Sequence, residues 1–216
     1  MLEIGTEPTP EIWDPIFGEQ GWGKYPSEHI VRNTINLPRG PVLDMGSGPG
    51  SVAWFLAREG FQVSALDISP RAIGQLQERL YREGFMCDAR VDDFTHGLPW
   101  EDGTFQAVVD NAAIYTAGYC NAKRAVAEAH RVLKPGGTFL SISFSTMTSP
   151  LIFQNRGYAL LLGPDDVKDL YAIFPNRAIE RASYTRNEAE VHLWIAICKK
   201  GEEHGRVPEE AVQNRQ

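Results

Sequence analysis

The feature that most constrains this chain is the alternation of short apolar runs with segments of helical period. The apolar runs lie at about 41–45, 61–67, 86–92, 105–110 and 138–144. Helical segments between them bury one face, as over 50–59, 70–83 and 119–134. Strands that alternate with helices in this order form a parallel sheet with helices packed against it, so the sequence predicts an α/β fold.

The C-terminal part of the chain departs from this rhythm. A single helix over about 164–173 is followed by two strands, near 178–185 and 190–199, with only a short polar turn between them. Strands joined so closely pair antiparallel. We therefore predict that the sheet is parallel except for a hairpin at one edge.

The length of 216 residues suits one hydrophobic core, so we predict a single domain over 1–216. We divide it into an aromatic-rich lid or helix over 1–38, a core over 39–200 and a polar tail over 201–216. The first dozen residues, which are polar and contain several Pro and Thr, are also predicted to be a tail.

Charge and cysteine content narrow the functional classes. Lys and Arg number 21 against 28 Asp and Glu, a formal charge of -7, which disfavours binding to the phosphate backbone of nucleic acids. Cys87, Cys120 and Cys198 are far apart, without the paired spacing of a metal site or a disulfide framework. No signal sequence and no run of eighteen apolar residues is found, so we predict a cytoplasmic protein without metal or membrane contact.

The stretch "VLDMGSGPG", residues 42–50, joins the first of these strands to a helix. Glycines in such a turn let the backbone approach a nucleotide-like ligand closely. A dinucleotide fingerprint needs its third glycine three places after the second, whereas here Gly46, Gly48 and Gly50 alternate and Ser51 follows. The spacing therefore disfavours a pyrophosphate site.

Asp44 followed by GxGxG resembles the class I S-adenosylmethionine-dependent methyltransferases, small-molecule type. The resemblance spans about 39–145 and includes "LDIS" from 66, "VDDFTHGLPWEDGTFQAVVDNAAIY" from 91 and "RVLKPGGTF" from 131, in the family's order. It implies a three-layer Rossmann-like sandwich whose seven-stranded sheet has the order 3-2-1-4-5-7-6. It also implies S-adenosylmethionine as cofactor. Although the KPGG stretch, 134–137, is typical of the family, we interpret it as a structural corner that leads into the fifth strand and not as a site.

The resemblance also implies roles for particular residues. Asp67 would accept the ribose hydroxyls, and Asp44 would orient the loop and reach the methionine amino group. Asp93 would take the adenine amine, with Asp92 as a competitor for that role. Gly46, Ser47, Gly48 and Gly50 are also predicted to bind the cofactor, by making room for its methionine half. Ile68 and Phe94 are predicted to lie near adenine. Asn111 and Ala112 are predicted to lie beside the methionine moiety and the methyl group.

Methyl transfer is an in-line displacement in which holding the two reactants together supplies much of the rate, so a catalytic base is optional. Tyr115, shortly after the fourth strand, is the candidate for binding the acceptor or handling its proton. His29 and His96 stay open as bases. We expect the other three histidines, His130, His192 and His204, to be structural or solvated.

The residues at the end of the fourth strand and just after it disfavour one class of methyl acceptor. "DNAAIY" is unlike the [DN]PP[YF] of amino methyltransferases, and no Pro-Cys pair suggests a cytosine nucleophile, so nucleic acid is disfavoured as substrate. The stretch from 145 to 163 offers a small pocket without a large insertion, which favours a small-molecule acceptor.

The entry segment, with Trp13, Phe17, Trp22 and Tyr25, either packs a helix on the sheet or forms a lid that excludes water; its aromatic spacing is loosely similar to thiopurine-type and tellurite-type methyltransferases. Two other functions stay open: a binding protein of this fold without turnover, and a nicotinamide-dependent oxidoreductase. The sequence assigns no oligomeric state.

Overall fold

A computed structural model describes residues 1–5, 9–19, 23–153, 158–186 and 188–202. Its nine strands are β1 Leu2–Gly5, β2 Pro41–Met45, β3 Gln62–Asp67, β4 Cys87–Val91, β5 Phe105–Asn111, β6 Leu133–Ser145, β7 Tyr158–Leu162, β8 Asn176–Arg186 and β9 Ala189–Lys199. Its six α-helices are α1 Pro10–Glu19, α2 Glu28–Thr34, α3 Ser51–Arg58, α4 Pro70–Arg82, α5 Tyr119–Val132 and α6 Pro164–Leu170.

All strands belong to one sheet, which confirms the predicted α/β fold. The strands β4, β3, β2, β5 and β6 lie side by side in that order and are parallel. On the far side of β6, β9 pairs antiparallel, and β8 pairs antiparallel with β9. These seven strands follow the predicted order 3-2-1-4-5-7-6, with the antiparallel hairpin at the edge.

Two further strands enlarge the sheet. β7 pairs parallel with Phe144 and Ser145 at the end of β6, and β1 pairs antiparallel with β7. The prediction that the first dozen residues form a tail is therefore wrong, since 2–5 are a strand and α1 begins at Pro10. The strand is held by backbone pairing with β7 and by Glu3, whose carboxylate accepts the Tyr119 N–H at 2.9 Å. A four-residue strand shows too short a pattern to be read from sequence.

Helices cover both faces of the sheet and complete three layers. One core lies between the sheet and α2, α3 and α4, and contains Ile30, Leu56 and Leu76. The other lies under α5 and α6 and contains Val126 and Val167. Side chains alternate between the two faces along each strand, so residues two apart serve the same core.

The KPGG stretch lies within β6 rather than before it. β6 begins at Leu133, five residues earlier than the prediction of about 138, and its pairing with β5 shifts register between Phe105 and Ala107. Lys134 to Gly137 lie at this irregular start of β6. The stretch therefore belongs to the strand that it was expected to precede.

The turn of the β8–β9 hairpin extends, along the strand direction, beyond the last residues at which β9 pairs with β6. Phe144 of β6 lies beside Leu193 of β9, which lies beside Ala182 of β8, so the three side chains share one face. Tyr184 and Arg186 follow Ala182 at alternate positions and are on that face too. Because a strand rises about 3.3 Å per residue, Arg186 lies about 13 Å beyond the level of Phe144.

The β8–β9 hairpin is tied to the loop after β6 at His192, next to the last residue of β9 that pairs with β6. The Thr148 hydroxyl donates to the His192 carbonyl and accepts from the His192 N–H, both at 2.8 Å. No α-helix in the described part of the chain is long and apolar enough to cross a bilayer.

Candidate functional site

A cavity of about 740 Å³ lies at the carboxyl ends of the parallel strands, where ligands bind in open α/β sheets. One part of its wall holds Asp93 after β4, Asp67 at the end of β3 and Asp44 on β2. We call this the acidic half. The other part holds Tyr115, Phe144, Tyr184 and Arg186, contributed by the segment after β5, by β6 and by β8. We call this the aromatic half.

Asp44 is the most deeply buried of the three carboxyls, with 1% of its surface exposed. Its Oδ2 accepts the Ala53 N–H at 2.8 Å, which ties β2 to the first turns of α3. Burial raises the pKa of Asp44 to about 8, and the charges of Asp67 and Asp110 add to the effect. A cationic ligand group bound beside Asp44 would lower this pKa again, because it would stabilise the ionised carboxylate.

Asp67 links the glycine loop to the start of the next helix. Its Oδ2 accepts the Gly48 N–H at 2.8 Å and its Oδ1 accepts the Ser69 N–H at 2.9 Å. Burial raises the pKa of Asp67 to about 6, although these two hydrogen bonds lower it. A carboxylate can accept about four hydrogen bonds, so each oxygen keeps capacity for a ligand hydroxyl.

The glycines of the loop serve different purposes. Gly46 has φ +70°, and a Cβ there would lie 2.2 Å from the Cβ of Ala113. Gly48 lines the cavity and donates its N–H to Asp67. Gly50 is not among the cavity-lining residues; a Cβ there would lie 2.6 Å from Leu76 of α4. The expectation that Gly50 makes room for a ligand is thus replaced by close packing between the loop and α4.

The two candidates for the adenine carboxylate are now separated. Asp93 lines the cavity and caps the short 3₁₀ turn Phe94–His96, because its Oδ1 accepts the Thr95 N–H at 2.8 Å. Its Oδ2 lies 2.9 Å from His96 Nδ1. Asp92 is exposed, lies outside the cavity wall and accepts the Asp93 N–H at 2.8 Å. The structure therefore favours Asp93 as the residue that faces a ligand.

The segment after β5 forms the middle of the cavity wall. Asn111 accepts the Ser27 hydroxyl at 3.2 Å, which joins this segment to the start of α2. Ala112 has φ +58°, a conformation that costs an L-residue energy and that accompanies functional sites. Ser47, Ile68 and Phe94, which were also predicted, line the same cavity.

Asp110 is a residue that sequence reasoning missed. It is fully buried, and its Oδ1 accepts the N–H groups of Ala113 at 2.7 Å and Ile114 at 3.1 Å. Its Oδ2 accepts the Ser141 hydroxyl at 2.5 Å, and burial raises its pKa to about 6. An Asp directly before a turn was the available signal. Asp110 positions the segment that carries Asn111 and Ala112.

The aromatic half is built around Tyr115. The Tyr115 ring is buried and lies edge-on to Phe144, with centroids 4.7 Å apart. Phe153 packs against Phe144 with centroids 4.9 Å apart. Phe144, Tyr184 and Arg186 were not predicted as site residues, because the strand register that brings them to the cavity is not visible in sequence. Tyr115, the predicted acceptor-side residue, lines the cavity.

The two histidines left open as bases differ in location. His96 lines the cavity, although its side chain is 79% exposed and is hydrogen-bonded to Asp93. His29, in the first turn of α2, is not among the cavity-lining residues. Only His96 therefore keeps access to a bound molecule.

Helix α1 covers part of the cavity. Trp13 and Phe17 stack with centroids 5.5 Å apart, and both line the cavity. Asp14 accepts hydrogen bonds from the Ser69 hydroxyl and, at 3.1 Å, from the Arg71 N–H, while Gln75 donates to the Phe17 carbonyl. These contacts hold α1 against the start of α4, beside Asp67. Trp22, the remaining tryptophan of the predicted lid, lies outside the described residues.

The residues present suit the cofactor that the resemblance implies. Asp44, Asp67 and Asp93 line the cavity and can accept hydrogen bonds from ligand amines and hydroxyls, and Gly46 lines it beside them without a side chain. Among the described residues, no three His, Cys, Asp or Glu side chains are grouped closely enough to hold a metal ion.

Comparison with known sequences finds similarity in the central part of the chain. The profile of a family described as "Methyltransferase domain" matches residues 42–137, from β2 into β6. A ubiquinone/menaquinone biosynthesis C-methyltransferase of Brucella anthropi is 33% identical over 114 residues, which cover 51% of this chain and 43% of that protein. The chain spans about half the length of the curated relatives it matches.

Solved structures extend the similarity to nearly the whole fold. A protein from a study on conversion of a disulfide bond into a thioacetal group in echinomycin biosynthesis has a TM-score of 0.74 at 24% identity, covering 94% of this chain and 97% of that one. The 1,6-didemethyltoxoflavin-N1-methyltransferase of Burkholderia thailandensis, solved with S-adenosylhomocysteine, has a TM-score of 0.65 at 18% identity, covering 81% and 77%. At these identities the comparison establishes the shared fold.

Proposed function

We propose that the chain is a class I S-adenosylmethionine-dependent methyltransferase and that it transfers a methyl group to a small molecule. The cofactor of this family is S-adenosylmethionine. The observation that carries the proposal is the single cavity in which a glycine loop and three carboxyls adjoin an aromatic wall. One half of such a cavity can hold the donor while the other holds the acceptor.

The acidic half is proposed to hold the cofactor. Asp67 has the remaining acceptor capacity to bind the two ribose hydroxyls, and a charged hydrogen bond of this kind contributes about 1.5–3 kcal/mol. Asp44 provides a buried carboxylate that accepts hydrogen bonds from the methionine amino group. Asp93 provides a carboxylate that accepts hydrogen bonds from the adenine amine. When bound, S-adenosylmethionine supplies an activated methyl group on a sulfonium centre.

The aromatic half is proposed to hold the acceptor. Tyr115 is the candidate for orienting the acceptor or receiving a proton through its hydroxyl, since it lies next to the segment that carries Asn111. Trp13 and Phe17 on α1 exclude water from the cavity. Positioning and water exclusion are the contributions that an in-line displacement needs most from the protein.

The size of the cavity supports a small acceptor. Its volume lies in the range of small-molecule pockets, and the cofactor would occupy part of that volume. The name of the Brucella relative refers to quinone biosynthesis, and that of the Burkholderia neighbour to a toxoflavin precursor. The formal charge of -7 opposes a nucleic-acid substrate.

The proposal includes a cytoplasmic location. The three cysteines are free, which is typical of proteins in a reducing compartment.

Titration calorimetry with S-adenosylmethionine, S-adenosylhomocysteine and NADH tests the proposal first. We expect binding of the first two and none of NADH, whereas the opposite result would support an oxidoreductase and overturn the proposal. A screen of small nucleophiles for release of S-adenosylhomocysteine then tests turnover. Binding of the cofactor without turnover on any member of a broad screen would support the alternative of a binding protein.

A further inference from the structure

Arg186 stands at the far end of the aromatic half, at the tip of the β8–β9 hairpin. It lines the cavity together with Tyr184, two residues earlier on the same strand. The register that runs from Phe144 through Leu193 to Ala182 puts both side chains on the sheet face that carries Phe144. The cavity therefore ends in aromatic rings and one guanidinium group.

Arg186 forms no ion pair with the described part of the protein. Among the described residues, its side chain takes part in none of the hydrogen bonds or ion pairs of the structure. The acidic side chains of the described cavity wall are Asp44, Asp67 and Asp93, all in the acidic half. In a chain of net charge -7, an uncompensated cation beside aromatic rings is a feature suited to an anionic ligand.

Strand order separates Arg186 from the glycine loop. Three strands, β5, β6 and β9, lie between β2, which leads into the loop, and β8. At about 4.8 Å per strand spacing, the axes of β2 and β8 are about 19 Å apart. The other cavity-lining arginine, Arg124, is on α5, which packs against the Phe94–His96 turn, and its guanidinium donates to Asn121. Arg186 is thus the cation of the aromatic half.

We propose that the methyl acceptor is a small aromatic molecule bearing an anionic group, and that Arg186 binds this group while Tyr184, Tyr115 and Phe144 contact its apolar part. The inference rests on the proposed function, because it assigns the aromatic half to the acceptor. A guanidinium group matches the planar geometry of a carboxylate and can donate two parallel hydrogen bonds to it. Aromatic side chains supply the flat apolar surface that an aromatic ring fits.

Binding measurements with matched ligand pairs test this assignment. The probes are hydroxybenzoates and hydroxynaphthoates, each compared with its carboxamide, titrated by NMR both with and without saturating S-adenosylhomocysteine. We expect the carboxylates to bind more tightly than their carboxamides. In Arg186→Gln, we expect each carboxylate to lose about tenfold or more in affinity, since a charged hydrogen-bonded pair is removed. In Arg186→Lys, part of the affinity should remain.

Arg181→Gln is the matched control. Arg181 lies on the same strand and is equally an exposed arginine, but it lies beside Trp194, on the opposite face of the sheet from Ala182. We expect this variant to bind the carboxylates as the parent protein does. Thermal midpoints of all three variants should match that of the parent, because both arginines are exposed and, within the described ranges, neither side chain takes part in a hydrogen bond or an ion pair.

The outcomes separate this inference from the proposed function. Equal affinity for carboxylates and carboxamides, undiminished carboxylate affinity in Arg186→Gln, or no binding by any aromatic acid overturns the inference. A tenfold loss of S-adenosylhomocysteine affinity in Arg186→Gln also overturns it, because Arg186 would then bind the carboxylate of the cofactor. Failure of the parent protein to bind S-adenosylhomocysteine overturns the proposed function instead. In that case, the titrations of the aromatic acids in the absence of S-adenosylhomocysteine still test the role of Arg186.

Discussion

In the acidic half of the cavity, each carboxyl lies near or just beyond the carboxyl end of a strand. Each also accepts a backbone N–H from a residue nearby in sequence, as Asp44 does from Ala53 and Asp93 from Thr95. In the aromatic half, Tyr115, Phe144 and Arg186 come from three distant segments that only the sheet brings together. The first half is therefore defined by local motifs and the second by tertiary register. Substitutions in the two halves should have separable effects on the donor and the acceptor.

The largest effect expected in the acidic half is that of Gly46→Ala. An alanine there would combine a left-handed conformation with a Cβ 2.2 Å from Ala113, and we expect a loss of about 2–5 kcal/mol in the free energy of unfolding, with loss of S-adenosylhomocysteine binding. Gly60→Ala is the control, since φ is +83° but no atom lies within 4 Å of the added Cβ, and about 1–2 kcal/mol should be lost. Urea denaturation measures the free energy of unfolding of both variants. Equal losses in Gly46→Ala and Gly60→Ala would show that the close packing of Gly46 against Ala113 does not contribute to stability.

The second prediction concerns pH. The folded pKa of Asp44, about 8, and those of Asp67 and Asp110, about 6, lie above their unfolded values near 4, so the folded protein holds protons that the unfolded chain releases. The free energy of unfolding without ligand should therefore fall as pH rises from about 4 to about 8. Asp44→Asn should flatten the part between about pH 6 and 8, by up to about 1.4 kcal/mol per pH unit.

Binding of a cationic ligand should show the opposite dependence. Its charge stabilises the ionised form of Asp44, so affinity for S-adenosylhomocysteine should increase from pH 6 to pH 8, with protons released on binding. Calorimetry in buffers of different ionisation enthalpy measures this release. If affinity does not change with pH in the parent protein, the assignment of Asp44 to a cationic group is wrong.

The third prediction is that Asp67→Asn weakens S-adenosylhomocysteine binding about tenfold or more. The amide keeps one acceptor oxygen for Gly48 or Ser69 but loses the charged hydrogen bonds to the ribose hydroxyls. Asp165→Asn is a suitable control because that side chain is 98% exposed on α6. Calorimetry on both variants would contradict the ribose assignment if the two bound the ligand equally well.

The smallest effect distinguishes two neighbouring carboxylates. Asp93→Ala removes a cap and a cavity-lining acceptor, and we expect about fivefold weaker S-adenosylhomocysteine binding. Asp92→Ala changes an exposed residue outside the cavity, and its affinity should stay within about twofold of the parent value. A larger loss in Asp92→Ala than in Asp93→Ala would reverse the assignment.

Much of the fold could be predicted because its signals are local. Seven strands and their order followed from apolar runs, turns and the resemblance, and Asp67 and Asp93 stand at ends of strands where such residues were expected. β7 could not be predicted, because its five buried residues form an apolar run that is equally consistent with a helix. Tyr184 and Arg186 could not be predicted either, since the length and register of the hairpin decide which residues reach the cavity.

The projection of the β8–β9 hairpin also bears on how this protein can evolve. Its tip contributes Tyr184 and Arg186 to the cavity, while the rest of the hairpin is fixed by the contact of His192 with Thr148 and by pairing with β6. Changes of length or sequence at an exposed hairpin tip are tolerated far better than changes in a buried strand. On the proposal above, new acceptors become accessible by mutation of a short peripheral segment, without alteration of the donor site inherited with the sheet.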